Sequence, residues 1–357
     1  MIYTHTPIKA VFNKNSDNFI IEEIPLYLFA HTGEWLMLKI RKKDLTTFDV
    51  INILSKLKIP KKDIGYAGLK DKDGLSIQWI SIPRKYKDKI NSFSHPKIKI
   101  LEKDLHRNKL KIGHLKGNKF FVRLKKVLPN ESKRIERILI DIKKNGIPNF
   151  FGYQRFGKYG DNFEQAKEFI FGDKHIKDKR LQKLLISAYQ AKLFNEWLME
   201  RIKLSNIFEM SEKELKMLGY KKELIKFVKS QKHPFKLLPG EIMSHYPFGK
   251  YFYLEDGNDI NRFLKKDIIP TGLLPGKKAL RAKDIAREIE QKYDEVLPAN
   301  GDRRMAWVFP EIIDKKYIKN NAWFECVFIL PKGSYATIFI EVLLNGINED
   351  LINGGKK

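Results

Sequence analysis

The sequence holds a single cysteine, Cys326, which excludes both an internal disulfide and a cysteine-based metal cluster. It sits in the alternating run WFECVFIL and is expected to be a buried core thiol. No apolar run approaches the roughly 18 residues that cross a bilayer, and the opening MIYTHTPIKA has no signal-peptide core, so a cytoplasmic protein is expected. The histidines (His5, His31, His95, His106, His114, His175, His233 and His245) are scattered without ligand spacing, from which neither a metal nor a cofactor is inferred. Internal repeats and low-complexity segments are absent as well. Negative charge is the other deficit: 43 Asp and Glu stand against 69 Lys and Arg, a formal net charge of +26. A surplus of that size favours a polyanionic partner, either nucleic acid or an acidic membrane surface, although a general lysine bias that aids solubility gives the same number. The charge is spread over every segment instead of gathered on one amphipathic helix, which argues against the membrane.

What the chain does have is length and apolar content. Its 357 residues, 43% hydrophobic, suit two domains or one domain carrying a large insertion. FIIEEIPL and EWLMLKIR read as strands, and TTFDVINILSKLKI as a helix whose start is marked by Thr46 and Asp49 in a capping box. LSIQWISIP, HPKIKILEKD and NKFFVRLKKV give three more strands, followed by a helix from Ser132 to Lys144. The glycines of GIPNFFGYQRFG then punctuate the chain, and we place a boundary near Gly146. Helices dominate beyond it, including LQKLLISAYQAKLFNEWLMERI and ALRAKDIAREIEQKY, before WFECVFILP and YATIFIEVLL return to a strand pattern. Strands at both ends around a helical middle predict a discontinuous domain, 1–145 with 306–357, interrupted by an insertion, 146–305.

The segment GYAGLKDKDGLSIQWISI carries the most chemistry. Its glycines permit a tight turn that leaves Lys70, Asp71, Lys72 and Asp73 on a loop beside a strand, although a solvated charged turn has the same appearance. The pattern of Gly68, Lys70, Asp71 and Gln78 resembles the signature loop of the TruD family of pseudouridine synthases. NFIIEEIPL with GEWLMLKIRK, TFDV, HLKGNKFFVRL, GIPNFFGYQRFGKYGDN, SAYQAKLFNEW and LPKGSYATIFIE are similar to further blocks of that family in its order, from residue 18 to about residue 344.

The resemblance implies an α+β fold: a catalytic domain with a mixed, mostly antiparallel sheet, an inserted α/β domain, and RNA held in a cleft between them. It implies an isomerase that converts uridine to pseudouridine in tRNA, at uridine 13 in the bacterial members. Asp71 is the implied nucleophile, and a carboxylate suffices for such a step because no water, metal or redox partner is required. A Lys upstream of the first strand belongs to the family site; Lys14, five residues before Phe19, is the nearest match, one residue short of the family spacing. Block matching places Phe19, Asn118, Phe120 and Tyr335 around the flipped nucleotide with Glu23 near by, and Phe also occurs at the position of Tyr335. Each aromatic could equally be core. Asn118 and Phe120 alternate on one strand and so share a face. Lys70 should point away from Asp71, toward an RNA phosphate or a structural partner. Arg155 in GYQRFG, with Arg303 and Arg304 in GDRR, combines guanidinium with neighbouring glycine and is expected to contact RNA phosphate, an exposed basic turn being the alternative. Oligomeric state leaves no signature, and a monomer is expected. The rival readings are a pseudouridine synthase acting on another RNA and a non-catalytic RNA-binding or remodelling protein.

Overall fold

The computed structural model of the protein describes residues 5–346 apart from 158, 173 and 256. Its strands, in chain order, are β1 Phe19–Pro25, β2 Trp35–Lys43, β3 Gly65–Tyr66, β4 Leu75–Pro83, β5 Ile98–His106, β6 Leu115–Leu124, β7 Ile147–Pro148, β8 Ile242–His245, β9 Tyr251–Tyr253, β10 Ile268–Leu274, β11 Asp302–Met305, β12 Trp307–Val308, β13 Glu311–Ile318 and β14 Trp323–Pro331. The chain forms two compact units, one of residues 7–139 and 310–336, the other of residues 140–309 and 337–345.

In the first unit the sheet runs β13-β14-β6-β1-β4-β2-β5, with β3 added to β4. β1 and β4 pair in parallel while the other neighbours are antiparallel, so this is the mixed, mostly antiparallel sheet of an α+β fold. β2 shows why the sheet has a packed face: Leu36, Leu38 and Ile40 recur with period two, all buried, and meet Ile80 and Ile82 of β4. The helix Thr47–Ser55 covers them with Val50, Ile51 and Leu54. Its start is the expected capping box, Thr46 and Asp49 bonding each other's backbone N–H. Cys326 in β14 is 2% exposed, and burial pushes its thiol up to about 12.

The second unit is built on the helix Lys179–Ile207 and an antiparallel sheet ordered β11-β10-β8-β9. Its core joins Phe194, Trp197 and Leu198 of that helix to Phe235, Met243, Ile269 and Trp307.

Two local expectations are corrected. YATIFIEVLL is not a strand: Ala336–Leu344 is a helix, and all of its residues but Glu341 are buried. A run apolar on every side carries neither the period of a strand nor that of a helix, and its β-branched residues pull the reading the wrong way. The helix read over ALRAKDIAREIEQKY spans only Asp284–Glu290, continued by the 3-10 turn Gln291–Tyr293; Asp284 has a φ of 48°, which breaks the helix on its N-terminal side.

Candidate active site

The residues of interest in the first unit lie on three neighbouring strands and the loop between β3 and β4. Before β1, the Asn15 side chain accepts from the N–H groups of Asp17 and Asn18, a turn that sets Lys14 just ahead of Phe19. The register then places Glu23 opposite Asn118 and Ile21 opposite Phe120 on β6, which in turn faces Phe328 of β14. The Phe19 ring stacks on that of Phe120 at 6.0 Å, and Phe120 on Phe328 at 5.4 Å. Both Phe19 and Phe120 are buried, and Tyr335, directly ahead of the helix Ala336–Leu344, is half-buried.

Asp71 stands at the tip of this group with its carboxylate open to solvent, 67% exposed, while the neighbouring Lys14 ammonium is 11% exposed and lies 3.5 Å from its Oδ2. That ammonium also sits over the Phe19 ring at 5.7 Å. The carboxylate is therefore accessible on one side and faced by a cation on the other.

The loop that carries Asp71 is tied down at consecutive residues. Thr47 Oγ1 accepts from Lys70 N at 2.8 Å and donates to Gln78 Oε1 at 3.0 Å, and Thr47 N donates to Lys70 O. Lys42, on the buried face of β2, donates from Nζ to the carbonyls of Asp71, at 3.0 Å, and of Leu45. Gly74 closes the turn at a φ of 91°; a Cβ there would lie 2.9 Å from the Phe19 carbonyl oxygen, so the close approach of loop and β1 requires glycine.

Lys70 does turn away from Asp71, and the structure encloses it. Its ammonium is 3.0 Å from Glu23 Oε1 and donates to Asn118 Oδ1 at 2.8 Å, while Glu23 Oε2 accepts from Trp79 N. An ammonium has only donors, so the Asn118 atom facing it must be the oxygen, which leaves the Asn118 NH2 as a donor on the other side of the amide. Lys70 and Glu23 are nearly sealed from solvent, which closes Lys70 to an RNA phosphate. Gln78 is fully buried too, bonded to Thr47, and its place is behind the loop and away from any substrate surface.

Neither Lys42 nor Thr47 was singled out from the sequence. Lys42 had a signal, since it continues the inward series Leu36, Leu38, Ile40 of β2; a lysine on the packed face of a strand needs an internal partner. Thr47 was masked by the capping threonine before it.

The three arginines lie in the second unit. Arg303 corrects its expectation: its guanidinium is 1% exposed, ion-paired with Glu290 and donating to Thr271, and burial pushes its pKa down. GDRR is thus the start of β11, and Arg303 points into the core where no phosphate reaches. Arg304 is half-buried, donating to the Asn149 carbonyl at 3.0 Å with its guanidinium 3.8 Å from the Phe151 ring centroid. Arg155, also half-buried, donates to Ser187 Oγ. Among the described residues no cluster of His, Cys, Asp and Glu could hold a metal ion, and no helix is long and apolar enough to cross a membrane.

Comparison with known proteins gives the same direction as the geometry. The family model described as tRNA pseudouridine synthase D (TruD) matches residues 1–175. Proteins named tRNA pseudouridine synthase D are similar over nearly the whole chain: that of Wolinella succinogenes is 50% identical over 95% of this chain and 96% of its own. That of Nitratiruptor sp. is 48% identical, covering 94% and 95%, and that of Campylobacter jejuni strain 81-176 is 46% identical, covering 96% and 94%. The fold matches a crystal structure of a candidate tRNA pseudouridine synthase D from Methanosarcina mazei with a TM-score of 0.69 at 20% identity, over 98% of this chain and 96% of that one. An exposed aspartate faced by a lysine at the end of the central strands of a mixed sheet, in a chain about half identical to these relatives over almost its full length, places the protein in the TruD family of pseudouridine synthases.

Proposed function

We propose that this protein isomerises uridine to pseudouridine in tRNA, at uridine 13, with Asp71 as the nucleophile. The observation that carries the reading is the pairing of the exposed Asp71 carboxylate with the Lys14 ammonium at 3.5 Å. An Asp71 oxygen attacks the nucleotide at ribose C1′ or at the base, and the bond from C1′ to N1 breaks. The detached uracil turns, a C1′ to C5 bond forms, and Asp71 is expelled. The C5 proton is lost and N1 gains one, so no atom is added or removed overall and no cofactor is called for. Lys14 holds the carboxylate in place against the negative potential of nearby phosphates. The Asn118 amide, with its oxygen taken by Lys70, offers its NH2 to a carbonyl or hydroxyl oxygen of the flipped nucleotide, and Phe19, Phe120 and Tyr335 give the base an apolar setting.

The catalytic domain is assigned to 1–145 with 306–357 and the insertion to 146–305. Support for this comes from the sheet around Asp71, whose strands are drawn from 19–124 and 311–331 only. Residues 1–4 and 347–357 of that assignment lie outside the described residues. A cytoplasmic monomer is the working state.

Tritium release from tRNA carrying 5-tritiated uridine tests the chemistry, with the product position mapped. Wild type should release tritium from position 13 and Asp71→Asn should release none while still binding tRNA. A folded wild type that binds tRNA without release would leave a binding protein.

A further inference from the structure

At the end of the sheet that carries Asp71, a cavity of 430 Å³ opens on the β2–β5 side of the first unit. Its walls include Arg41 and Lys43 of β2, His95, Lys97 and Lys99 around the start of β5, and Leu75, the first residue of β4 after the Asp71 loop. The four cations are close by construction: Arg41 pairs with Lys99 across the ladder, and Lys43 N donates to Lys97 O. All four are exposed, no carboxylate lines the cavity, and none of their side chains has a hydrogen-bond or ion-pair partner among the described residues. Lys39 makes the contrast. Two residues before Arg41 on the same face of β2, it is neutralised by both Glu22, at 3.0 Å, and Glu102, at 2.8 Å. The strand thus changes from paired to unpaired positive charge where it approaches the Asp71 loop. Four like charges converging on one concavity repel one another, and an anion seated between them relieves that repulsion. Residues two apart on a strand are about 7 Å apart, so Arg41 and Lys43 present an extended pair of charges to a chain of phosphates in place of a single point.

We propose that this groove binds the phosphodiester backbone of the RNA substrate beside the nucleotide presented to Asp71. The proposal rests on the reading that the protein acts on tRNA. The groove is separate from the site itself: Lys42, between Arg41 and Lys43, points to the opposite face of the sheet and holds the Asp71 carbonyl, so the reacting side chains and the four cations belong to different faces of one sheet end.

The test is a quadruple variant of the full chain, Arg41→Gln, Lys43→Gln, Lys97→Gln and Lys99→Gln. Its control carries the same loss of charge elsewhere: Lys213→Gln, Lys216→Gln, Lys222→Gln and Lys226→Gln, all on exposed positions of the second unit. The dependence of log Kd for unmodified tRNA on log salt should flatten by about 3 in the groove variant if each cation meets one phosphate, and KM for tRNA should rise while kcat at saturating tRNA stays unchanged. The control should keep the wild-type slope. Equal slopes for the groove variant and the control would overturn the proposal, as would a fall in kcat with no change in Kd. If wild type binds tRNA but makes no pseudouridine, the activity reading fails, and the slope comparison still decides the groove by itself.

Discussion

Two buried lysines behind Asp71 do different work. Lys70 is paired with Glu23, and removing one partner of a buried pair leaves the other charge uncompensated, at a cost of about 3–5 kcal/mol. Lys70→Met should therefore destabilise strongly in urea denaturation. Adding Glu23→Gln should recover most of that loss without recovering kcat, because Asn118 would still lack the donor that orients its amide. Recovery of both would show that the pair serves stability alone. Among the described residues Lys42 has no carboxylate in hydrogen-bond contact; burial pulls its pKa from the usual 10.5 down to about 8, against the attraction of Asp71, Asp49 and Glu23 and with the repulsion of Lys70. Between pH 8 and 10.5 the unfolded chain holds a proton on this group that the folded protein has given up, so its contribution to stability rises with pH across that window. The unfolding free energy of wild type relative to Lys42→Met should accordingly increase from pH 8 to pH 10.5. A flat or falling difference would mean that the ammonium is not desolvated. At neutral pH the same variant should lose turnover, since the Asp71 carbonyl loses its anchor.

At the scale of elements, the helix Thr47–Ser55 is tied to the Asp71 loop through Thr47, whose hydroxyl also reaches Gln78 of β4. Thr47→Val keeps the shape but strips one acceptor from Lys70 N–H and one donor from Gln78, whose buried Nε2 already has no partner among the described residues. A loss of about 1–3 kcal/mol is expected, together with faster amide exchange at Lys70 and a lower kcat. Unchanged exchange at that amide would show that the loop does not depend on the helix. The elements of the first unit were largely legible, those of the second much less so. Runs rich in strand-forming residues marked β1, β2, β4, β5 and β6, and Thr46 with Asp49 marked the helix start. Where Ala336–Leu344 turned out helical, periodicity had nothing to act on, because eight of its nine residues are buried. Arg303 misled for a related reason: glycine and arginine in GDRR have the composition of an exposed turn, and only the pairing of β11 with β10 turns that side chain inward.

For the whole molecule, the surplus of 26 positive charges calls for a polyanion but does not say which cations meet it. Arg303 is excluded by its burial against Glu290. Arg303→Met should lower the melting temperature clearly, as one half of a buried pair is lost, while leaving the salt dependence of tRNA binding as in wild type. A flatter salt dependence without a stability loss would return it to the RNA surface.

The sequence by itself determined the family, the nucleophile candidate and most strands of the sheet around Asp71, because these are written in local order: a loop motif, and runs of strand-forming residues bounded by turns. The tertiary structure alone decided which contacts the residues around Asp71 make. Lys14, Lys42, Thr47 and Asn118 come from four separate segments, and whether a lysine faces a carboxylate, a carbonyl or solvent depends on strand register and burial, which no stretch of neighbouring residues encodes.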